Sequence, residues 1–547
     1  MATVTATVAM ATVVSSRLNE FHVETMTKRV LSPLTCSKNF NPVLFAVFLT
    51  TLAAGTQSVR AQSADAGNAV KPTLSIVPRI SISETATDNV RLSAADRQSE
   101  LITVVSPGIR IAGDRGRFKG YLDYALNARY FAQNSSGTDL QNALTAFGSL
   151  EAIENWAFVD FNAGISQQAV SALGAPSAGT TAINGNQNET ATFRLSPYLR
   201  GKLASSVDYE ARYSLAANRN KSVAASDATS RDGSITLSGR GSGARLGWSL
   251  IAQQQTISYN AGRSTESDLF TAGLSYAIVP QFTVTVSGGQ DSNNFTTADK
   301  QSSGTFGYGV SWIPSETTSF SASRENRRFG ESFSINASHR TARTAWRFTD
   351  SRSIANPAAQ TGLASLGSAF DIFFDQFAGA EPDPVKRAAL VNSFLQTNGI
   401  DPTSSVTTSF ATSAVSVLRR QDLSFSLLGI RDTVTFIATR SESSRVDTLS
   451  SAVDDLSSGT VIRQAGLSVS YSHRLTPNSS MSVLASAGQS SDSLGLQENS
   501  NRSVNLSFST KLGPKSTAAV SARHVVFDSN TSPYTESAVT GTLNVQF

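Results

Sequence analysis

Residues 118–132 alternate apolar and polar side chains with a period of two, and that period constrains the fold more than any motif in the chain. The even positions read Phe118, Gly120, Leu122, Tyr124, Leu126, Ala128 and Tyr130, while Lys119, Asp123, Asn127 and Arg129 take the odd ones. The pattern recurs over 190–203, where Ala191, Phe193, Leu195, Pro197, Leu199 and Leu203 alternate with Thr192, Arg194, Ser196, Arg200 and Lys202. It recurs again over 207–217, where Val207, Tyr209, Ala211, Tyr213 and Leu215 oppose Asp208, Glu210, Arg212 and Ser214. Successive side chains of a strand point to opposite faces, so each segment predicts a strand with one apolar and one polar face. These strands exceed the five or six residues usual in soluble sheets and match the length that crosses a membrane at a tilt.

The connections strengthen that reading. Short ones are expected at Asp114-Arg115, Glu154-Asn155, Ala204-Ser205, Pro280, Pro314-Ser315, Asp432, Pro477-Asn478 and Pro514-Lys515, and long ones over 220–231 and 445–460. Short turns at one end and long loops at the other are the pattern of outer-membrane barrels. In hydrocarbon every backbone N–H and C=O needs a partner, so a sheet can span a membrane only when closed. The expected fold is an all-β, transmembrane, antiparallel outer-membrane β-barrel over 74–547, of about 22 strands with a range of 18–24. The final segment supports it. Val539, Gly541, Leu543, Val545 and Phe547 alternate with polar residues, and Leu543, Val545 and Phe547 resemble the closing-strand signal read by the barrel assembly machinery.

Composition removes the competing classes. Ser and Thr make up roughly a quarter of the 547 residues and only 16% are charged. The longest apolar run, 42–55, is shorter than the roughly 20 residues a spanning helix needs. With 40% hydrophobic residues and 29 Phe, the chain is too apolar to remain disordered. Residues 1–61 read as a secretory signal peptide, with Lys28, Arg29 and Lys38 before the apolar stretch Val43 to Ala54 and a cleavage site after Ala61, a cut after Ala54 being the alternative. Met26 is an alternative start. Residues 62–73 form a short periplasmic N-terminal segment, too short for a plug domain or a helical-repeat scaffold. Removing the leader leaves a net charge of about +1, so no basic nucleic-acid surface is expected. The single cysteine, Cys36, lies in the leader.

One stretch breaks the period. Over 354–413, Phe370, Phe373, Phe374 and Phe377 recur at helical spacing. A second helix follows, with Asp383 as its cap, Pro384 at its first position, Val385, Ala388, Val391 and Leu395 on one side, and Asn398-Gly399 at its end. Strand parity brings this helical insertion in from the long-loop side. It either caps the rim or folds inward as a plug or gate with its Phe face on the wall.

No catalytic signature is present. His339, His473 and His524 lie in strand or turn contexts without metal-ligand spacing, and neither a nucleophile elbow nor a phosphate loop opens a helix. The chain reads as a non-enzyme with no cofactor and no metal site. The polar strand faces are more informative. Lys119, Asp123, Arg129, Arg194, Arg200, Lys202, Arg212 and Arg240 are expected to face the lumen, and their arginine surplus suits a polar, anionic polymer.

Several blocks then resemble the PEP-CTERM system-associated outer-membrane protein family. They are Ile80 to Asn89, Val105 to Ile109, Ser196 to Arg200, Phe374 to Phe377, Gly399 to Pro402, Arg419 to Ser424, Asp432 to Thr435 and Ser441 to Ser443, and the likeness covers 73–547. The resemblance carries no active residues. It implies a Gram-negative outer membrane and association with exosortase and exopolysaccharide gene clusters. The expected role is a conduit for exopolysaccharide, reached by Sec-type export and fed by a periplasmic polysaccharide-export protein. Its partners would be outer-membrane lipid, the assembly machinery and the polysaccharide. The alternatives are a general or solute-selective porin and a structural surface anchor or adhesin.

Overall fold

The computed structural model describes residues 74–547 except 134–137, 178, 180, 204–205, 223–225, 242–244, 261, 356–373, 375–376, 378–382, 399–409, 411, 413, 448, 450–453, 457–460 and 496. The expected leader and the 62–73 segment lie outside the described residues. The first half of the wall comprises β1 (Leu74–Thr87), β2 (Glu100–Arg115), β3 (Phe118–Phe131), β4 (Asp139–Ile153), β5 (Ala157–Ala169), β6 (Gln187–Leu203), β7 (Val207–Asn220), β8 (Ala228–Arg240), β9 (Leu246–Tyr259), β10 (Thr265–Val279) and β11 (Phe282–Asn293). The second half comprises β12 (Gln301–Ser315), β13 (Thr318–Arg327), β14 (Gly330–Arg340), β15 (Thr344–Ala355), β16 (Ser416–Leu428), β17 (Asp432–Arg445), β18 (Val461–Arg474), β19 (Ser479–Asp492), β20 (Glu498–Gly513), β21 (Ser516–Ser529) and β22 (Tyr534–Gln546). Among the described residues the helix α1 (Pro384–Asn398) lies between β15 and β16.

All 22 strands form one sheet in which each pairs antiparallel with its sequence neighbours. The sheet closes because β22 also pairs with β1, from Arg79 opposite Gln546 to Thr87 opposite Ala538. The fold is therefore a closed 22-stranded antiparallel barrel with no free edge. The segments 282–290, 318–326 and 344–353, weak in the alternation, are separate strands β11, β13 and β15.

Parity sorts the connections. Even-to-odd connections are tight, as at 116–117, 280–281, 316–317 and 514–515, whereas odd-to-even ones include 88–99, 170–186, 356–415 and 446–460. Three turns lie a little beyond where they were expected or before it. Asp114 and Arg115 finish β2, and the chain reverses at Gly116-Arg117, where Gly116 takes φ +56°, a left-handed conformation glycine adopts without cost. Pro314 and Ser315 stay within β12 because a register shift between Trp312 and Ser315 absorbs the proline, which has no N–H to give the ladder. Asp432 opens β17 after a reversal at 429–431.

The two faces differ in chemistry. Outward positions carry large exposed apolar side chains, among them Phe270, Leu274, Phe306, Leu467, Leu506 and Phe508. All four tryptophans lie at the short-turn end: Trp156 beside the β4–β5 turn, Trp248 near the start of β9, Trp312 near the end of β12 and Trp346 near the start of β15. Trp156 donates to the Tyr209 hydroxyl at 2.8 Å, and Trp346 packs on Phe425 with ring centroids 4.1 Å apart. Such an aromatic girdle suits the level where hydrocarbon meets headgroups. The inward face accounts for the serine content. Hydroxyls pair across strands at Ser196–Ser214, Ser480–Ser509, Ser482–Ser507 and Ser486–Ser503, at 2.6–3.0 Å.

Candidate functional site

A barrel of this width encloses a lumen that wall side chains cannot fill. The insertion that enters it leaves the wall after Ala355, at the long-loop end. Its helix α1 packs against β2 and β3 on one side and β19 and β20 on the other. The strands β21, β22 and β1 lie between those two pairs, so α1 runs as a chord on the inner face.

The seat of α1 is near the opposite, short-turn end. Tyr121, fourth in β3, is buried with Phe147 of β4, Phe374, Ala388, Val391 and Leu395, and Ala112, Phe377 and Phe394 pack around them. Phe374 meets Phe147 edge-on at 5.9 Å, Phe377 meets Phe394 at 5.3 Å, and the Arg387 guanidinium lies 4.7 Å from the Phe374 ring. Asn392 donates to the Tyr121 hydroxyl at 2.5 Å and to the Ala388 carbonyl at 3.0 Å. Asp383 caps the helix by accepting from the Lys386 amide at 3.2 Å, and it also accepts from Lys119 at 3.4 Å. Asp383 thus lies beside Lys119, the second residue of β3, whereas Phe410 bridges Ala169 at the end of β5, at the long-loop rim.

Of the helical residues picked out by spacing, Phe374, Phe377, Ala388, Val391 and Leu395 share this seat. Phe370 and Phe373 lie outside the described residues. The lumen candidates are all on inward-facing positions, and register relates them. Asp123 accepts from Arg79 at 2.5 Å and Arg110 at 2.9 Å, two arginines that spacing did not single out. Arg129 pairs with Asp139, and Arg194 with Asp232 at 3.3 Å. Lys202 lies 3.7 Å from Asp208, and Arg240 is exposed near the short-turn end of β8.

Arg200 and Arg212 form a different unit. Phe158 and Tyr198 stack with centroids 5.1 Å apart, Arg200 covers Phe158 at 4.1 Å, and Arg212 covers Tyr198 at 3.8 Å. Arg212 also binds Asp160 and Glu210, each at 3.0 Å. Alternation exposes the arginines but not the aromatic stack, because Phe158 and Tyr198 become neighbours only through the β5–β6 register. Guanidinium groups held over ring faces in a wall of hydroxyls can bind carboxylates.

Above the seat, the long loops interlock. Loop 170–186 reaches across: Ile183 donates to the Val90 carbonyl at 2.8 Å, and Asn499 donates to the Leu173 carbonyl at 3.0 Å. Leu92, Ala182, Val525, Phe527 and Tyr534 make one apolar contact there, and Ala172, Leu456 and Ile462 another. Asp455 accepts from the Ser171 hydroxyl at 2.8 Å and the Ala172 amide at 2.6 Å. Burial raises its pKa above the usual carboxylate value, against the lowering effect of those bonds.

The three histidines face outward on the wall. His339 bonds Thr318, His524 bonds Ser537, and His473 pairs with Asp432 at 2.7 Å. Among the described residues no group of three or more His, Cys, Asp or Glu side chains could hold a metal ion. Leu543 and Val545 lie on the outward face of β22, opposite Ile82 and Ile80, and the Phe547 amide donates to the Pro78 carbonyl at 2.9 Å.

No family model and no curated protein matches the chain. Solved structures to which it is similar include the FrpB iron transporter from Neisseria meningitidis, with 12% identity, a TM-score of 0.46, and coverage of 86% of this chain and 82% of that one. The siderophore receptor PirA from Pseudomonas aeruginosa is similar at 11% identity and a TM-score of 0.40, covering 86% and 80%. OccK3 from Pseudomonas aeruginosa is similar at 10% identity and a TM-score of 0.30, covering 86% and 95%. The barrel assignment rests on closure and pairing rather than on these likenesses.

Proposed function

We propose that the barrel sits in the outer membrane of a Gram-negative bacterium as a gated conduit for exopolysaccharide, delivered there by Sec-type export under the leader at 1–61. The observation that carries this reading is the seat of α1, which lies beside Tyr121 and Lys119 near the short-turn mouth although the strands flanking it in sequence, β15 and β16, face it from the long-loop end. A static wall needs no such segment. A wide polymer path needs a removable obstruction, or it would leak when idle. The polar, hydroxyl-rich wall and the arginine-capped aromatic pair at Phe158 and Tyr198 suit a hydrated, anionic saccharide. A periplasmic polysaccharide-export protein would supply the polymer at the short-turn mouth, next to α1.

The test is deletion of the gene in its native host, with polysaccharide measured outside the cell and in the periplasm against the complemented strain. Loss outside with accumulation in the periplasm is expected. Unchanged secretion, in a host without a paralogue, removes the export role. A solute-selective porin is the second reading, and the Arg212–Asp160–Glu210 cluster favours it, since charged side chains along a pore set its selectivity. It requires steady conductance from the purified barrel without any trigger.

A further inference from the structure

The outward face at the long-loop end is not uniform, and register makes its pattern explicit. Arg324 pairs with Phe333, Phe333 with Arg352, Arg352 with Arg419, Arg419 with Glu442, and Glu442 with Arg463. These six residues form one cross-strand row from β13 to β18. At about 4.8 Å per strand the row is ~24 Å long. The next row toward the membrane runs Ile335, Asp350, Gln421, Arg440 and Ala465. The third is apolar: Ala337, Phe348, Leu423, Ala438 and Leu467. The arginines therefore stand directly above the hydrocarbon band.

Acidic neighbours do not neutralise them all. Arg419 binds Asp350 at 3.0 Å, Arg463 lies 3.7 Å from Glu442, and Arg324 pairs with Glu331. Arg352 donates to the backbone carbonyl of Glu331, and among the described residues Arg440 meets no acidic side chain. Arg352 and Arg419 are directly opposite on adjacent strands, a like-charge pair of which Asp350 engages only Arg419. At the other end of the barrel the same face carries tryptophan instead. The two membrane levels thus meet different headgroup chemistries.

We infer that this arginine row is a docking site for the phosphorylated headgroup of an outer-leaflet glycolipid. A phosphomonoester offers three acceptor oxygens and up to two negative charges, and guanidinium groups bind it bidentately. The row's length spans several sugar-phosphate units, and its height matches a headgroup resting on the apolar band. The inference rests on the outer-membrane placement proposed above, which fractionation of cells tests separately.

The experiment uses the purified full-length barrel in detergent and a fluorescent rough lipopolysaccharide, with its enzymatically dephosphorylated form as a second probe. Wild type binds the phosphorylated form, and dephosphorylation weakens binding tenfold or more. The double variant Arg352→Gln, Arg440→Gln loses at least tenfold in affinity. Arg231→Gln, on the outward face of β8 at the same end, leaves affinity unchanged. Heat-modifiable gel mobility establishes that each variant is folded, and the single variant Arg440→Gln, which breaks no ion pair, serves if the double variant misfolds. Equal affinity of folded variant and wild type overturns the inference. So does displacement of the lipid by inorganic phosphate at equal phosphorus concentration, which marks a generic anion site.

Discussion

Leu395→Ala tests the seat of α1 most directly. Leu395 is fully buried against Tyr121, Phe147, Val391 and Ala388. Truncating a buried leucine costs about 2–5 kcal/mol, the transfer of the removed carbons plus the cavity left behind. Here the cost falls on docking, because the wall strands keep their ladders whether or not α1 is seated. At about 1.4 kcal/mol per tenfold, even the lower bound raises the ratio of undocked to docked insertion about thirtyfold. The assay is single-channel recording of the purified barrel in a planar bilayer. Wild type is expected to be mostly closed, Leu395→Ala to open about thirtyfold more often, and deletion of 356–410 to conduct continuously. Leu390→Ala is the control, since Leu390 is 40% exposed on the helix and its loss changes docking by less than about 0.5 kcal/mol. If folded Leu395→Ala and the deletion both conduct as wild type does, the insertion does not obstruct the path.

Asp383→Ala removes the cap of α1 and its contact with Lys119; a lost cap costs about 1 kcal/mol, so opening should rise about fivefold in the same recordings. Arg200→Gln with Arg212→Gln uncovers the Phe158–Tyr198 stack and should shift the reversal potential in a salt gradient toward cation selectivity; an unmoved potential would place the ion path elsewhere. For Asp455 the sign follows from its raised pKa: the folded carboxyl binds a proton that the free one does not, so stability of the loop contact falls as pH rises through that window. Acidification from neutral should therefore slow amide exchange at 171–173 after correction for intrinsic rates, and Asp455→Asn should abolish the dependence. Deleting Phe547 removes one bond to Pro78 yet leaves the β22–β1 register, so a fall in assembled barrel measured by heat-modifiability would trace to recognition and not to stability.

The wall was legible because period two survives wherever one face meets lipid and the other water. The assignment of Lys119, Asp123 and Arg129 to one face of β3 needed nothing beyond that period. The turns were less legible, since Pro314 marks a bulge within a strand as readily as a reversal. The seat was half visible. Helical spacing grouped Ala388, Val391 and Leu395, but nothing in it indicates that they pack on Tyr121 and Phe147, some 240–270 positions away in sequence on β3 and β4. The arginine row was hidden for the same reason. Arg324, Arg352, Arg419 and Arg463 are scattered in sequence and become a row only through five strand registers.

Closure of β22 on β1 has a consequence for how the chain reaches this state. Thr85 and Thr540, whose hydroxyls meet at 2.9 Å, are 455 residues apart. Nearly every other strand contact in the wall is between sequence neighbours and can form as hairpins appear. The seam cannot, because β22 is made only after the twenty-one strands before it. Contact order is thus low for twenty-one junctions and maximal for one, so the slow step of folding is a single loop closure. Until it occurs, two bare strand edges are exposed, and both are competent to pair with another copy. Aggregation during refolding should therefore be governed by β1 and β22 alone, and a short peptide copying β22 should trap the chain open.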